Sequence, residues 1–231
     1  MLLGLDTTTE RLHLALVAPA RAWTRALRVE PGQSHSTVLL PALQALLTEA
    51  GIVPSALTGC ITCVGPGGFT SLRTGVATAE GLALTGVPVW GFSAFELRAR
   101  ALRVGGLSGP SWILLDGQRT EAFAQKWDGE ALTPATKHPS AELPTLLGSD
   151  LWWAPAAFRA KLEPVLGSSG TMLEDEENVT LQALVELCRE KTGLPPENPL
   201  VPFYLRETDA EMNFPHASAH LSEALRRGHA R

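Results

Sequence analysis

Cysteine is scarce in this chain of 231 residues: there are three, an odd number, so no disulfide framework is expected and a reducing cytoplasm is the natural setting. Long apolar runs are missing as well. No stretch approaches the roughly 18 residues of a membrane span. The opening Met1-Leu2-Leu3-Gly4-Leu5-Asp6 carries no basic leader before Asp6 interrupts it, so neither a span nor a targeting segment is expected. Positive charge is in deficit, 19 Lys and Arg against 24 Asp and Glu, for a net charge of −5. That balance argues against a broad phosphate-gripping face, so any role on RNA should be indirect or confined to a cluster such as Arg98, Arg100 and Arg103. Histidine is absent between His35 and His138.

What is present suits a well-filled interior: 45% hydrophobic and 19% charged residues, in a chain long enough for one large domain or two small ones. The apolar run Leu2–Leu5, the polar Thr7–Arg11 and the apolar Leu12–Val17 read as a hairpin, with a third strand over Ala22–Val29. Ser34 or Ser36 caps a helix to about Ala50, with leucines at helical spacing; Pro41 inside it predicts a kink or a later start. Ile61–Val64 is a buried strand that enters Gly65-Pro66-Gly67-Gly68, and a helix follows over about Leu72–Thr85 with small residues at Gly75, Ala79 and Ala83. A strand over Gly86–Gly91 leads to a helix capped by Ser93 and ending near Arg103. Beyond a linker at 105–110, Trp112–Leu115 ends at Asp116 and Glu121–Trp127 returns. This repeats the opening pattern of strand, aspartate, turn and strand, and suggests a duplicated architecture. Residues 167–178 read as a loop, 179–192 as a helix, 195–202 as extended chain and the rest as a polar tail.

Few constellations carry chemistry. The Gly65–Gly68 junction supports two readings: a cradle for an anion at the following helix N-terminus, or a tight connection that needs glycine for its dihedrals. It is neither a Walker loop nor a GxGxxG fingerprint. Asp6 with Thr7, Thr8 and Thr9 can set a carboxylate and hydroxyls around a metal–phosphate group. Yet that loop has no glycine for wrapping phosphate, which favours a plain polar turn. Cys60-x-x-Cys63 lies in a strand, where residues three apart face opposite ways, so the sulfurs diverge. His216-x-x-x-His220 lacks the glutamate of a zinc hydrolase and falls in the tail, and His35 reads as part of a helix cap.

Three segments converge on a family: Leu5-Asp6-Thr7-Thr8, His35-Ser36 leading into Leu39-Leu40-Pro41, and above all the run from Gly65 to Ala83. With Asp116–Phe123 and Pro202–Arg206 they resemble TsaB, formerly YeaZ, across about residues 1–206. The family run usually reads Gly-Pro-Gly-Ser-Phe-Thr-Gly-Leu-Arg; here Gly68 replaces the serine and Ser71 the later glycine. The resemblance implies an α/β, two-lobed actin/Hsp70-like (ASKHA), ribonuclease H-like fold. Its mixed sheets have flanking helices, with lobes over 1–104 and 105–206 and a tail over 207–231. It implies a non-catalytic partner of TsaD in threonylcarbamoyl transfer to the adenosine beside the tRNA anticodon. TsaE joins through the pair, TsaC supplies threonylcarbamoyl-adenylate, and the free chain is expected to form a homodimer. Expected at the partner interface are Leu39, Leu43, Leu46, Arg73, Gly75, Ala79, Leu82 and Ala83; a vestigial nucleotide site is expected at Asp6, Thr7, Gly65, Gly67 and Gly68. TsaD carries a His-x-x-x-His metal pair that this chain lacks in the corresponding helices, so no metal or cofactor of its own is expected, with ATP or ADP admitted in the complex. The competing reading is an enzyme in its own right, a phosphotransferase holding Mg-nucleotide between Asp6, Asp116 and the glycine loop, or a peptidase.

Overall fold

The computed structural model describes residues 1–167, 170 and 176–205. Strands β1 (Leu2–Asp6), β2 (Arg11–Val17), β3 (Ala22–Arg28), β4 (Gly59–Gly65) and β5 (Val89–Ser93) form one sheet in the order β3-β2-β1-β4-β5. The first three strands are antiparallel, with Asp6 opposite His13, and β1, β4 and β5 run parallel. Both faces of this sheet are covered, which is why β1, β2 and β4 read as nearly continuous apolar runs. Helices α1 (His35–Ala50) and α2 (Phe69–Ala83) pack on one face, over Leu3, Leu5, Leu12, Leu14 and Leu16.

The other face meets α3 (Ala94–Val104) and α6 (Glu176–Lys191), whose apolar residues join Ala15, Val17, Ile61 and Cys63. The same core continues to Ile113, Leu115 and Phe123 of a second sheet. That sheet holds β6 (Ser111–Gln118), β7 (Glu121–Asp128), β8 (Glu130–Ala131), β9 (Thr136–Pro139) and β10 (Leu151–Trp153). Its far face is covered by α4 (Leu143–Leu147) and α5 (Ala156–Leu166) through Trp112, Leu114, Trp152, Phe158 and Leu162. The result is five layers: helices, sheet, helices, sheet, helices.

The two sheets share one plan. Order β9-β7-β6-β10, with two antiparallel pairings and then a parallel one, repeats β3-β2-β1-β4. No counterpart of β5 follows β10 among the described residues; α6 crosses back to the first sheet instead, so closely that a methyl on Gly4 would lie 2.5 Å from the Cys188 sulfur. Residues 194–203 then strap the first sheet: the Trp90 indole donates to the Leu194 carbonyl (2.9 Å), Glu197 N–H to Val89 (2.8 Å), Leu200 N–H to the Glu80 carboxylate (2.6 Å) and Phe203 N–H to Val64 (2.6 Å).

Local departures from the sequence reading have simple causes. Helix α1 starts at His35 and runs through Pro41; Pro41 and Thr37, whose carbonyl loses its donor, are both exposed, so that carbonyl is open to solvent and the proline is tolerated. Helix α2 begins three residues earlier than its apolar pattern suggests, because the Gly68 carbonyl already accepts from Leu72 N–H at 2.8 Å. Strand β5 begins later than expected, after a turn at Gly86 with a φ of 87°. The elements over 130–166 are short or contain Pro144 and Pro164, and give no sustained periodicity.

Candidate functional site

Strands β1 and β4 lie side by side and parallel, so the loops leaving their carboxyl ends meet: Asp6-Thr7-Thr8 on one side and Gly65–Gly68 on the other. The sequence-predicted residues Asp6, Thr7, Gly65, Gly67 and Gly68 are therefore brought together, but against each other. A methyl on Gly67 would stand 2.6 Å from Thr8 Cβ and 2.8 Å from its carbonyl, and one on Gly75 of α2 would stand 2.6 Å from Thr7 Oγ1. Thr7 donates its hydroxyl to the Ser71 carbonyl at 2.7 Å. The glycines thus serve close backbone approach. The exchange of residues 68 and 71 relative to the family run is coupled: Ser71 donates to the Gly68 carbonyl at 2.9 Å, and a Cβ at 68 would meet the Ser71 hydroxyl at 2.8 Å.

Asp6 is fully buried and fully engaged. Its Oδ1 accepts from the Thr8 N–H (2.9 Å) and hydroxyl (2.6 Å), while Oδ2 accepts from Arg98 Nη2 (2.8 Å) and faces His13 Nδ1 at 3.4 Å. Burial alone would raise its pKa, but Arg98, His13 and Thr8 outweigh it and hold the carboxyl far below the usual carboxylate range. The guanidinium is itself only 3% exposed. This corrects the reading of Arg98, Arg100 and Arg103 as a basic cluster for RNA: Arg98 points inward to Asp6, and Arg100 pairs with Glu186 and Glu190. The signal for Arg98 lies in the sequence, since it shares the apolar stripe of α3 with Ala94, Phe95, Ala101 and Leu102. His35, the first residue of α1, is buried, and burial pulls its pKa below the ordinary value.

In the second sheet Asp116 repeats the arrangement at the surface: Oδ1 accepts from Gln118 N–H at 2.7 Å and Oδ2 from Lys161 Nζ at 2.6 Å. Between the halves a cavity of about 470 Å³ is lined by Thr9, Arg11, His13, Arg28, Arg98 and the starts of α5 and α6. Asp6, Thr7, Asp116 and the glycine loop are not among its lining residues, so that cavity does not join the groups proposed to hold Mg-nucleotide. Cys60 faces the α1–α2 core and Cys63 the α3–α6 core, as strand geometry requires. All three thiols are buried, and burial pushes Cys188 up to about 12. Among the described residues no three His, Cys, Asp or Glu side chains gather as a metal site; His216, His220 and Arg206 lie outside them. No described helix is long and apolar enough to cross a membrane.

The helical face needs correction. Leu39, Leu43, Leu46, Gly75 and Ala79 are buried inside the chain, where they seat α1 and α2 on the sheet, so they are not free to meet a partner. Leu82 and Ala83 are half-buried, and Arg73 is exposed. The outward ridge of α2 is set two residues off the expected one: Thr70, Arg73, Ala77, Gly81 and Leu84 are exposed, Leu84 by 91%. Leu40, 62% exposed, faces outward from α1. The spacing was right for a helix, but without the sheet position it could not tell the inner stripe from the outer.

Strand order 3-2-1-4-5, its shortened repeat in the second sheet and helices between and outside them define a two-lobed actin/Hsp70-like α/β protein, here with its first-lobe aspartate tied into an internal ion pair. Residues 30–149 match the family model described as TsaD, tRNA N6-adenosine threonylcarbamoyltransferase. The chain belongs to this TsaD-type family, in its TsaB (YeaZ) branch. It is 28% identical over 221 residues to the tRNA threonylcarbamoyladenosine biosynthesis protein TsaB of Bacillus subtilis strain 168, covering 91% of this chain and 96% of that protein. It is equally similar, 28% over 227 residues, to an uncharacterized protein of Mycobacterium tuberculosis, with 90% and 93% covered. The solved structure of YeaZ from Pseudomonas aeruginosa superposes with a TM-score of 0.70 at 23% identity, over 88% of this chain and 99% of that one, which shows the shared fold.

Proposed function

We propose that this chain is a non-catalytic subunit that docks on TsaD and activates threonylcarbamoyl transfer to N6 of the adenosine beside the tRNA anticodon. One observation carries the reading: Asp6, the first-lobe carboxylate considered above for a metal–nucleotide group, has both oxygens occupied by Arg98, Thr8 and His13 inside the protein. An uncompensated carboxylate attracts a cation, whereas this one already has its counterion. The exposed ridge of α2 with Leu40 of α1 supplies the other half of the reading, a row of mostly small and apolar residues that, Tyr204 beside Arg73 apart, no described residue covers. TsaE joins through the resulting pair, tRNA is met only through it, and the chain needs no cofactor of its own.

The test is reconstitution of tRNA modification from purified TsaD, TsaE, TsaC, ATP and tRNA, with and without this chain. Omitting it, or supplying Ala77→Arg, lowers turnover by about 10-fold or more, since each ~1.4 kcal/mol of lost binding is tenfold. Ala77→Arg remains folded because Ala77 is exposed. Full turnover by TsaD without this chain would remove the proposed role.

A further inference from the structure

The exposed ridge carries one cation, Arg73, and two aromatic side chains hold it. The Arg73 guanidinium stands 3.7 Å over the Phe69 ring centroid, and its Nε donates to the Tyr204 hydroxyl at 3.2 Å. The Phe69 and Tyr204 rings are 5.5 Å apart and tilted by 37°, and both are about two-fifths exposed, at 41% and 39%. Tyr204 comes from the far end of the strap, 131 residues along the chain, so the group is assembled by the tertiary fold and is no accident of local sequence.

A surface arginine normally gives up its rotamer freedom only when a partner fixes it. Here the aromatic pair fixes it in advance, which is how binding anchors lower their ordering cost. Its two terminal nitrogens, the fork that matches a carboxylate, have no hydrogen-bond or ion-pair partner among the described residues. Several other surface cations are compensated within the chain, Arg25 by Glu49, Lys126 by Asp150, Lys137 by Glu121 and Lys161 by Asp116, whereas Arg21 also stacks on a ring, that of Trp23 at 4.5 Å, but away from this ridge.

Resting on the docking function above, we propose that Arg73 is a pre-set ionic anchor that takes a carboxylate from a sister subunit and thereby selects that subunit over a second copy of this chain. The selection follows from what the ridge lacks. Thr70, Ala77, Gly81, Leu84 and Leu40 carry no acid; Glu80 is occupied by Leu200 N–H and Glu49 by Arg25. Two copies related by a two-fold axis bring the same ridge to both sides, so Arg73 finds no carboxylate on its twin's ridge. A different chain with an acidic side chain at the matching place satisfies it, and the same charge disfavours self-pairing.

Calorimetric titration of the full chain into TsaD, with analytical ultracentrifugation of the chain alone, tests this with Arg73→Lys and Arg73→Glu. Arg73→Glu should weaken pairing with TsaD by about 100-fold, because it sets like charges together at a docked site, and Arg73→Lys by about 10-fold, because the charge stays and the fork is lost. Self-association, whatever its strength, should change by less than about threefold, and thermal melts should coincide because the residue is exposed. Arg73→Glu within about threefold of the parent against TsaD, or equal losses in both kinds of pairing, overturns the anchor. Failure of the unsubstituted chain to bind TsaD is a separate result, and it removes the docking function itself.

Discussion

The two hairpins that open the two sheets are built alike and used differently. Each carries, at or two residues before the end of its first strand, an aspartate whose Oδ1 caps the N–H two residues on and whose Oδ2 takes a cation. At Asp6 both partners are sealed, with 0% and 3% of the side chains exposed; at Asp116 the values are 33% and 66%. The turns differ accordingly. Residues Gln118, Arg119 and Thr120 all adopt positive φ in a tight surface turn, whereas the turn after Asp6 is pinned by α2 and the glycine loop. One motif in two dielectric settings becomes a structural keystone in one half and a weakly coupled surface pair in the other.

The largest effect expected from breaking this contrast is at Arg98. Arg98→Ala leaves a buried carboxylate without its counterion and should lower unfolding free energy in urea by about 3–5 kcal/mol. Acid should single out the same site. The Asp6 value is lowered from its ordinary 3.8, so its contribution is complete above that pH and fades as pH falls beneath it; Asp6→Asn removes this part of the acid limb. A shallower loss begins below 6.5, where His35, held neutral by burial, is charged only in the unfolded chain. Next in size is Gly67→Ala, which drives a methyl into the Thr8 backbone and should cost about 1–3 kcal/mol by denaturant titration. The smallest is Lys161→Ala, expected within about 0.5 kcal/mol of the parent by the same measurement. An equal loss at Arg98 and Lys161 would dissolve the distinction between the hairpins.

Much of the first sheet is legible in the sequence because its signals are local. Leu12–Val17 and Ala22–Arg28 declare a hairpin, Ser93 caps α3 by accepting from Glu96 N–H at 3.0 Å, and the glycine run marks a strand-to-helix junction. What the glycines do was not legible, since Gly67 and Gly75 owe their size to Thr8 and Thr7, more than 50 residues away. Arg98 looked like surface charge because three arginines at 98, 100 and 103 suggest a cluster, whereas helix geometry turns the first inward. The outward ridge of α2 was missed by two residues for the same reason: Ala77 and Ala79 are indistinguishable until the sheet tells which of them it covers.

Helix α6 crossing back to the first sheet has a consequence for biosynthesis. The inner layer that Ala183, Leu184, Leu187 and Cys188 complete is laid against Ala15, Val17, Ile61 and Cys63, residues made far earlier. While a ribosome is still extending the second sheet, that flank of the first has only α3 over it, and its β1–β3 part awaits α6. The amino-terminal half therefore cannot finish closing that face until residue 191 has cleared the exit tunnel.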